Sequence, residues 1–190
     1  MNRLWIITAA LAFASAAHAE TFDLNASGHS VQASLSGPVG RMTSTSHGEY
    51  EVGGLFHSQS NRDFNEGYGG LRIAGDLGVQ GAKVDGTLGV RAYYLDGEGA
   101  SGEAIAIGGS LNARFREINR VIWTVYGYYA PDPLAFSDAH EYVEFGLSVG
   151  YELLHNAVLY AGYRNIEVDF SGDGTHTVDN GLLAGVRLTF

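Results

Sequence analysis

Apolar and polar residues alternate one by one along most of the chain beyond residue 20. The clearest run is HEYVEFGLSVGYELL, residues 140–154, in which every second side chain is apolar. Successive side chains of a β-strand point to opposite faces, so this pattern predicts a strand with one apolar face. The apolar positions are Val143, Phe145, Leu147, Val149, Tyr151 and Leu153.

Other segments repeat this alternation and predict further strands. A helical period of 3.6 residues does not persist anywhere beyond residue 20. Residues 21–27 and 30–36 predict an additional hairpin that turns at Gly28. The other predicted strands lie at about 49–58, 68–77, 84–95, 103–115, 120–130, 140–154, 157–168 and 182–190.

The predicted connections alternate between short and long. Short turns and long loops on opposite sides of a sheet are typical of bacterial outer-membrane barrels. Only residues 37–48, which contain Pro38, do not fit this alternation of short and long connections. The short connections are at 79–82, 116–120 and 154–156, and the long polar ones are at 59–67, 96–102, 131–139 and 169–180.

The composition of the two faces favours a barrel in lipid over a β-sandwich, although alternation alone fits both. The polar faces are mostly Gly, Ser, Thr and Ala with lone charges, which suits a narrow lumen. The apolar faces carry no charge over about five alternate positions, as expected for strands of roughly 9–11 residues that cross hydrocarbon. We therefore predict an all-β fold, an antiparallel transmembrane β-barrel.

The number of strands should be even. Eight strands follow residue 49, and residues 21–36 make ten if they form a membrane hairpin. We favour ten because the alternation continues through both segments and would place every second, apolar residue on the outer face. These residues are Phe22, Leu24 and Ala26, and then Val31, Ala33 and Leu35.

Both ends of the chain indicate export to the outer membrane. Arg3, the apolar run 4–17 and the small residues Ala17 and Ala19 predict a signal peptide over 1–19, leaving the barrel in 20–190. The last strand, GLLAGVRLTF, ends on an aromatic residue. Its glycine, leucine and phenylalanine resemble the C-terminal insertion signal of outer-membrane proteins: Gly185, Leu188 and Phe190.

Charge and composition exclude several classes of protein. Without Arg3 the chain has 10 basic and 21 acidic residues, a net charge of −11, which argues against nucleic-acid binding. The chain has no cysteine, so disulfides cannot stabilise it. Beyond the signal peptide, no stretch of 18 apolar residues predicts a transmembrane helix.

Five arginines and five carboxylates fall on the polar faces and are predicted to point into the lumen. In a narrow barrel they should pair as charge-assisted hydrogen bonds and set the strand register. A selective constriction for small solutes is the alternative; an open porin needs about 16 strands. The neighbours of Arg187 in the lumen could include Arg164 and a carboxylate such as Glu152. The ten residues are Glu51, Arg72, Asp76, Asp85, Arg91, Arg114, Glu144, Glu152, Arg164 and Arg187.

The C-terminal third of the chain resembles the YfaZ family of bacterial outer-membrane proteins. The resemblance is carried by YYAPDPLAFSD, YVEFGLSVGYELL, VLYAGYRNIEVDF and GLLAGVRLTF, all beyond Tyr128. The Y-Y-x-P-D element and A-G-Y-R on the penultimate strand are the most specific parts. The resemblance implies an outer-membrane barrel and supplies no catalytic residues.

Candidate catalytic and metal-binding groups are scattered over the predicted loops. His140 lies near Asp138 in the sequence, and His176 lies near Asp179 and Ser171, which leaves acyl transfer to lipid as an alternative. No nucleophile elbow is present, and the histidines lack metal-ligand spacing. The glycine-rich acidic turns at 96–99 and 171–174 lack the ligand series of a calcium loop. We expect no enzymatic activity, no cofactor and no metal.

Three functional classes therefore stay open. The first is a structural or interaction barrel that presents acidic extracellular loops, the second is a narrow channel, and the third is a lipid-A or phospholipid-processing enzyme. The predicted location is the bacterial outer membrane. The expected partners are outer-membrane lipids, lipopolysaccharide and, during insertion, the barrel-assembly machinery; the protein should be a monomer that binds no nucleic acid.

Overall fold

The computed structural model describes residues 20–59, 62–97, 100–170 and 174–190. The predicted signal peptide, residues 1–19, lies outside these ranges, as do parts of both glycine-rich acidic turns. Among the described residues, no helix is long and apolar enough to cross a membrane.

Within the described ranges, ten long strands form the wall of the molecule, and a short strand and one 3-10 turn lie between the seventh and eighth of them. The strands are β1 (Thr21–Ser27), β2 (Ser30–Arg41), β3 (Ser46–Gln59), β4 (Arg62–Asp76), β5 (Ala82–Gly97), β6 (Ala100–Phe115), β7 (Val121–Ala130), the short β8 (Ala135–Ser137), β9 (Ala139–Leu154), β10 (Ala157–Phe170) and β11 (Gly174–Thr189). The 3-10 turn spans Asp132–Leu134.

The ten long strands close into an antiparallel barrel, which confirms the predicted fold class and the favoured strand number. Neighbours along the chain pair with each other, and β1 pairs with β11 to complete the circle. The predicted hairpin over 21–36 is the β1–β2 pair. Phe22 lies opposite Leu188 at the closure, and Leu24 lies opposite Val186.

Glu20, the first described residue, meets Phe190, the last residue, at one end of the barrel, which we call the terminal end. Glu20 N donates to Phe190 O over 3.0 Å, and Phe190 N donates to Glu20 O over the same distance. This pair of hydrogen bonds explains why the strand pattern runs to the last residue. We call the opposite end, where β1, β3, β5, β7 and β10 end, the hairpin end.

Residues 37–48, which the sequence pattern left unassigned, form the end of β2, a turn at 42–45 and the start of β3. The hydroxyl groups of Thr43 and Ser46 lie 2.6 Å apart across this turn. The segment is therefore an ordinary hairpin at the terminal end.

Large apolar side chains lie on the outside of the barrel over most of its height. On β5 the outward residues 84–94 span eleven positions, the length that crosses a hydrocarbon core. A contiguous apolar band of this kind is typical of a lipid-facing surface. Its most exposed members include Leu71, Leu88, Ile107, Leu147 and Leu182.

Near the hairpin end the apolar residues move from the outer face of the strands to the inner face. The predicted long loops at 59–67, 96–102 and 169–180 are wrong, because strands occupy most of these residues. The strands there continue to 59, 97 and 170 and resume at 62, 100 and 174. Leu95 and Val168 are fully buried inside the barrel, whereas Asp96 is exposed outside it. Strands of 14–16 residues exceed the 9–11 needed to cross the membrane, so their hairpin ends extend into water.

The predicted loop at 131–139 also contains a strand. β7 ends at Ala130, and β8 continues its path by pairing with β6, where Ala104 lies opposite Ala135. β8 therefore covers the part of the wall that the ten-residue β7 leaves open.

Glycines on the lumen side leave room for tyrosine rings. A Cβ atom at Gly146 would lie 2.5 Å from the Tyr126 ring, and one at Gly185 would lie 2.5 Å from the Tyr160 ring. Both distances are shorter than a van der Waals contact, so any larger residue would displace the ring. The small residues of the polar faces thus hold aromatic side chains in the lumen.

Candidate functional site in the barrel lumen

Arg91 on β5 lies at mid-height in the lumen and connects three strands. Its Nη2 donates to Glu51 Oε1 over 2.8 Å, and its Nε donates to Glu51 Oε2 over 3.1 Å. Its Nη1 donates to Glu144 Oε2 over 3.3 Å and to Tyr93 Oη over 3.1 Å. A bidentate guanidinium–carboxylate pair fixes geometry more strongly than a single contact, so Arg91 holds β3, β5 and β9 in register.

Two tyrosine rings enclose the same guanidinium group. Arg91 Cζ lies 3.6 Å from the centroid of the Tyr128 ring and 4.6 Å from that of Tyr68. Cation–π contacts of this kind are stronger where water is excluded, and Arg91 is 7% exposed. The guanidinium group and the two rings therefore pack together inside the lumen.

Arg72 extends this group along β4 towards the terminal end. Its Nε donates to Glu49 Oε2 over 2.7 Å, and its Nη1 donates to Glu51 Oε2 over 3.0 Å. Glu51 is therefore shared between two arginines. We call this set the Arg91 cluster: Glu49, Glu51, Arg72, Arg91, Tyr93 and Glu144.

Glu66 lies beside the cluster and shares a phenol with it. Tyr142 Oη lies 3.1 Å from Glu66 Oε2 and 3.3 Å from Glu144 Oε2. A phenol has one proton, so Tyr142 donates to only one of these two carboxyl groups at a time. Among the described residues, Glu66 Oε1 has no hydrogen-bond partner although it is buried.

Arg164 on β10 forms a second buried group near the hairpin end. Its Nη2 donates to Asp179 Oδ2 over 2.6 Å, and its Nη1 donates to Asn25 Oδ1 over 2.9 Å and to Gln32 Oε1 over 2.5 Å. Ser27 Oγ donates to the other oxygen of Asp179 over 2.9 Å. These contacts join β1, β2, β10 and β11 across the closure of the barrel.

The remaining predicted arginines pair nearer the terminal end. Arg187 Nε donates to Asp23 Oδ2 over 2.9 Å, and Tyr160 Oη donates to Asp23 Oδ1. Arg114 donates to Glu152. The carboxylate beside Arg187 is therefore Asp23, directly opposite it on β1, and not Glu152, which binds Arg114. Arg164 is not its neighbour, because Arg164 lies opposite Gly181, six residues away from Arg187 along β11.

Asp76 and Asp85 lie outside these networks, although they were predicted with them. They face each other across β4 and β5 at the terminal end, where solvent reaches both. Asp76 Oδ1 accepts a hydrogen bond from Gly78 N over 2.7 Å, and Asp85 lies 3.6 Å from Lys83 Nζ. Asp76 thus stabilises a turn, and Asp85 forms an exposed ion pair.

The lumen beyond the Arg91 cluster is filled with apolar side chains, which we call the hairpin-end core. Side chains from eight of the barrel strands contribute to it, and several of them are fully buried. Its members are Leu55, Phe64, Leu95, Ala104, Ala106, Ala130, Ala139, Tyr142, Ile166, Val168, Phe170 and Val178.

On the other side of the cluster the lumen is hollow. A polar cavity of about 770 Å³ extends from the Arg91 cluster to the turn at Thr43 and Ser44. Small hydroxyl residues on its wall, such as Ser34, Ser110 and Ser148, leave this space. The lumen is therefore a cup that opens at the terminal end.

Histidine contacts differ from those that the sequence suggested. His140 Nδ1 lies 2.5 Å from Asp132 Oδ1, and both side chains are exposed. The His176 ring lies against Phe170, while Asp179 binds Arg164; Ser171 lies outside the described residues. A further contact, between Ser30 Oγ and His57 Nδ1 at 2.8 Å, has no signal in the sequence pattern.

No metal-binding group of three or more His, Asp or Glu side chains occurs in the part of the chain that the structure describes. The predicted insertion residues Gly185 and Leu188 lie in β11, and Phe190 follows it with an exposed ring. Their role in insertion stays a prediction.

A closed antiparallel barrel with an apolar outer band and a charge-paired lumen has the architecture of an outer-membrane barrel. The chain matches the family model described as "YfaZ precursor" over residues 1–190, and it belongs to the YfaZ family. It is an outer-membrane β-barrel protein of that family.

Solved structures with a similar fold are distant in sequence. Outer membrane phospholipase A from Escherichia coli is 13% identical and has a TM-score of 0.45, with coverage of 90% of this chain and 91% of that one. Neisserial surface protein A is 15% identical, with a TM-score of 0.32 and coverages of 91% and 94%. An anion-selective porin from Comamonas acidovorans is 12% identical, with a TM-score of 0.38 and coverages of 86% and 49%. No curated protein sequence matches the chain.

Proposed function

We propose that this protein is a non-conducting barrel that acts through its acidic hairpin end. The supporting observation is the filled lumen. The Arg91 cluster and the hairpin-end core occupy successive levels of the barrel, and Leu55, Tyr142, Ile166 and Val168 are 0% exposed. A solute that enters at the terminal end meets ion pairs and then packed apolar side chains.

The proposal predicts that the purified, refolded barrel gives no unitary conductance steps in planar bilayers at neutral pH. Substitution Tyr142→Ala removes a ring that lies at 4.3 Å, centroid to centroid, from Tyr93 and should raise conductance above the parent level. Heat-modified gel mobility would show that the variant is folded. Reproducible steps from the parent protein would overturn the proposal and favour a narrow channel.

The outer surface at the hairpin end is rich in carboxylates. Acidic residues continue along the exposed faces of the strands after the apolar band ends. Lipopolysaccharide phosphates are also anionic, so divalent cations would bridge the two surfaces. The acidic residues are Asp63, Asp96, Glu103, Asp132, Asp138, Glu141, Glu167 and Asp169.

This role requires the hairpin end to be extracellular and the terminal end periplasmic. The chain has no cysteine, so single cysteines report position without background. A membrane-impermeant maleimide should label Thr177→Cys, at the hairpin end, on intact cells. It should label Asn119→Cys, in the turn at 116–120, only after the outer membrane is opened. The reverse pattern would contradict the orientation.

The proposal includes no enzymatic activity. The Ser30 hydroxyl group contacts His57, as a serine nucleophile contacts its base, but Ser30 is only 2% exposed and faces the lumen. An acyl substrate in the membrane would have to displace the wall to reach it. Lipid hydrolysis or acyl transfer that is lost in Ser30→Ala would revive the enzymatic alternative.

A further inference from the structure

We propose that the cup at the terminal end is a binding site for a short, uncharged oligosaccharide. Its volume of about 770 Å³ lies within the range of small-molecule sites, roughly 300–1,000 Å³. Because the Arg91 cluster closes its floor, a ligand enters and leaves by the same mouth. The cup therefore suits binding and not passage.

One arc of the wall carries charges that are already paired. Arg72 is bonded to Glu49 and Glu51, and Arg187 is bonded to Asp23. An anionic ligand would have to break such a pair to gain a cation, and a cationic ligand would have to do the same to gain a carboxylate. Leaving a partly buried charge without its partner is costly, so the interior of the cup disfavours both kinds of ligand. Arg41 and Asp76, which also line the cavity, are exposed to solvent at its mouth.

The facing arc carries hydroxyl and amide groups at mid-depth on β5, β6 and β7. The charges of β5 lie at the two ends of this arc, with Arg91 in the floor and the Lys83–Asp85 ion pair at the mouth. Thr87 Oγ1 lies 2.9 Å from Ser110 Oγ, and Thr124 Oγ1 donates to Asn112 Oδ1 over 2.7 Å. A hydroxyl group both donates and accepts, so each of these pairs retains capacity for a further partner. An apolar ligand would leave that capacity unmet, whereas ligand hydroxyls would use it.

An aromatic surface completes the site. Tyr160 lines the cavity and holds its ring beneath Arg187, whose Cζ lies 5.5 Å from the ring centroid. Fixed aromatic faces pack against the C–H surface of a sugar ring, while paired charges and hydroxyls bond its edges. A ligand that has many hydroxyls and no net charge satisfies both arcs together.

Isothermal titration calorimetry on the full refolded barrel in detergent micelles tests the proposal. The probes are maltotriose, N,N′-diacetylchitobiose, an anionic disaccharide and an uncharged tripeptide amide. A neutral saccharide should bind with heat that saturates at one site. The double variant Ser110→Ala with Thr124→Val, which removes two wall hydroxyls and keeps the shape of the cup, should bind it at least about tenfold more weakly.

The control is Ser58→Ala with Thr177→Val, which removes two hydroxyls at the hairpin end and should leave binding unchanged. Equal weakening by both double variants would overturn the assignment to the cup. Tighter binding of the anionic disaccharide or of the tripeptide amide would overturn the ligand class. Absence of saturable heat with both neutral saccharides would overturn the site. That result would leave the proposal of a non-conducting barrel unaffected.

Discussion

Replacing Arg91 by methionine is expected to lower the free energy of unfolding by about 3–5 kcal/mol. Methionine retains much of the volume but leaves Glu51 and Glu144 buried without their common cation. Glu51 still has Arg72, so the largest loss falls on Glu144, which is 1% exposed and retains only hydroxyl donors, Tyr93 and Tyr142.

Urea titration of the barrel refolded into lipid vesicles would measure this loss through the fluorescence of Trp123. The same change at Arg116, in an exposed turn, is the control and should cost little. Adding Glu51→Gln and Glu144→Gln to Arg91→Met should recover part of the stability, because it removes the unpaired charges. If Arg91→Met and Arg116→Met are equally stable, the Arg91 cluster does not hold the barrel together.

The sequence predicts the membrane-crossing part of the fold well because one physical constraint governs it. Within the hydrocarbon core, every outward side chain must be apolar and every strand must pair with two others. The apolar character of Leu88 and Leu147 therefore shows that they face outward. The pairing of β1 with β11 follows from closure of the barrel, without knowledge of side-chain contacts. The same constraint indicates that Arg91 and Glu144 point inward.

The pairing of the charges could not be predicted from the sequence. The alternation along a strand determines whether a side chain faces the lumen or the lipid, but not its position along the barrel axis. Asp23 and Asp179 lie on lumen faces, yet only the register of β1 and β11 brings Asp23 to Arg187. Glu66 was read as part of a loop. Strand stagger, which is a property of the closed barrel, determines which carboxylate reaches which arginine.

The hairpin end was missed for a different reason. Outside the membrane the requirement on outward side chains reverses, and a strand there buries apolar residues inside and exposes polar ones, as in a protein surrounded by water. Leu95 and Asp96 follow this rule, whereas Leu88 on the same strand follows the opposite one. The change of phase within one strand, together with its glycines, makes the segment look like a polar loop.

Two matched substitutions on β5 test this reversal. Leu95→Ala is expected to lower the free energy of unfolding by about 3–5 kcal/mol, because Leu95 is 0% exposed and its removal leaves a cavity that the surrounding side chains fill only in part.

Leu88→Ala should cost about 2 kcal/mol, which is the transfer free energy of the lost methyl and methylene groups. Leu88 is 67% exposed on the outer face, where lipid tails can occupy the vacated space, so no cavity remains. Both variants would be unfolded with urea in the same lipid vesicles, and only the difference between them bears on the packing. A larger loss from Leu88→Ala than from Leu95→Ala would mean that the interior of the hairpin end is not packed, and that its strands extend into water without a core.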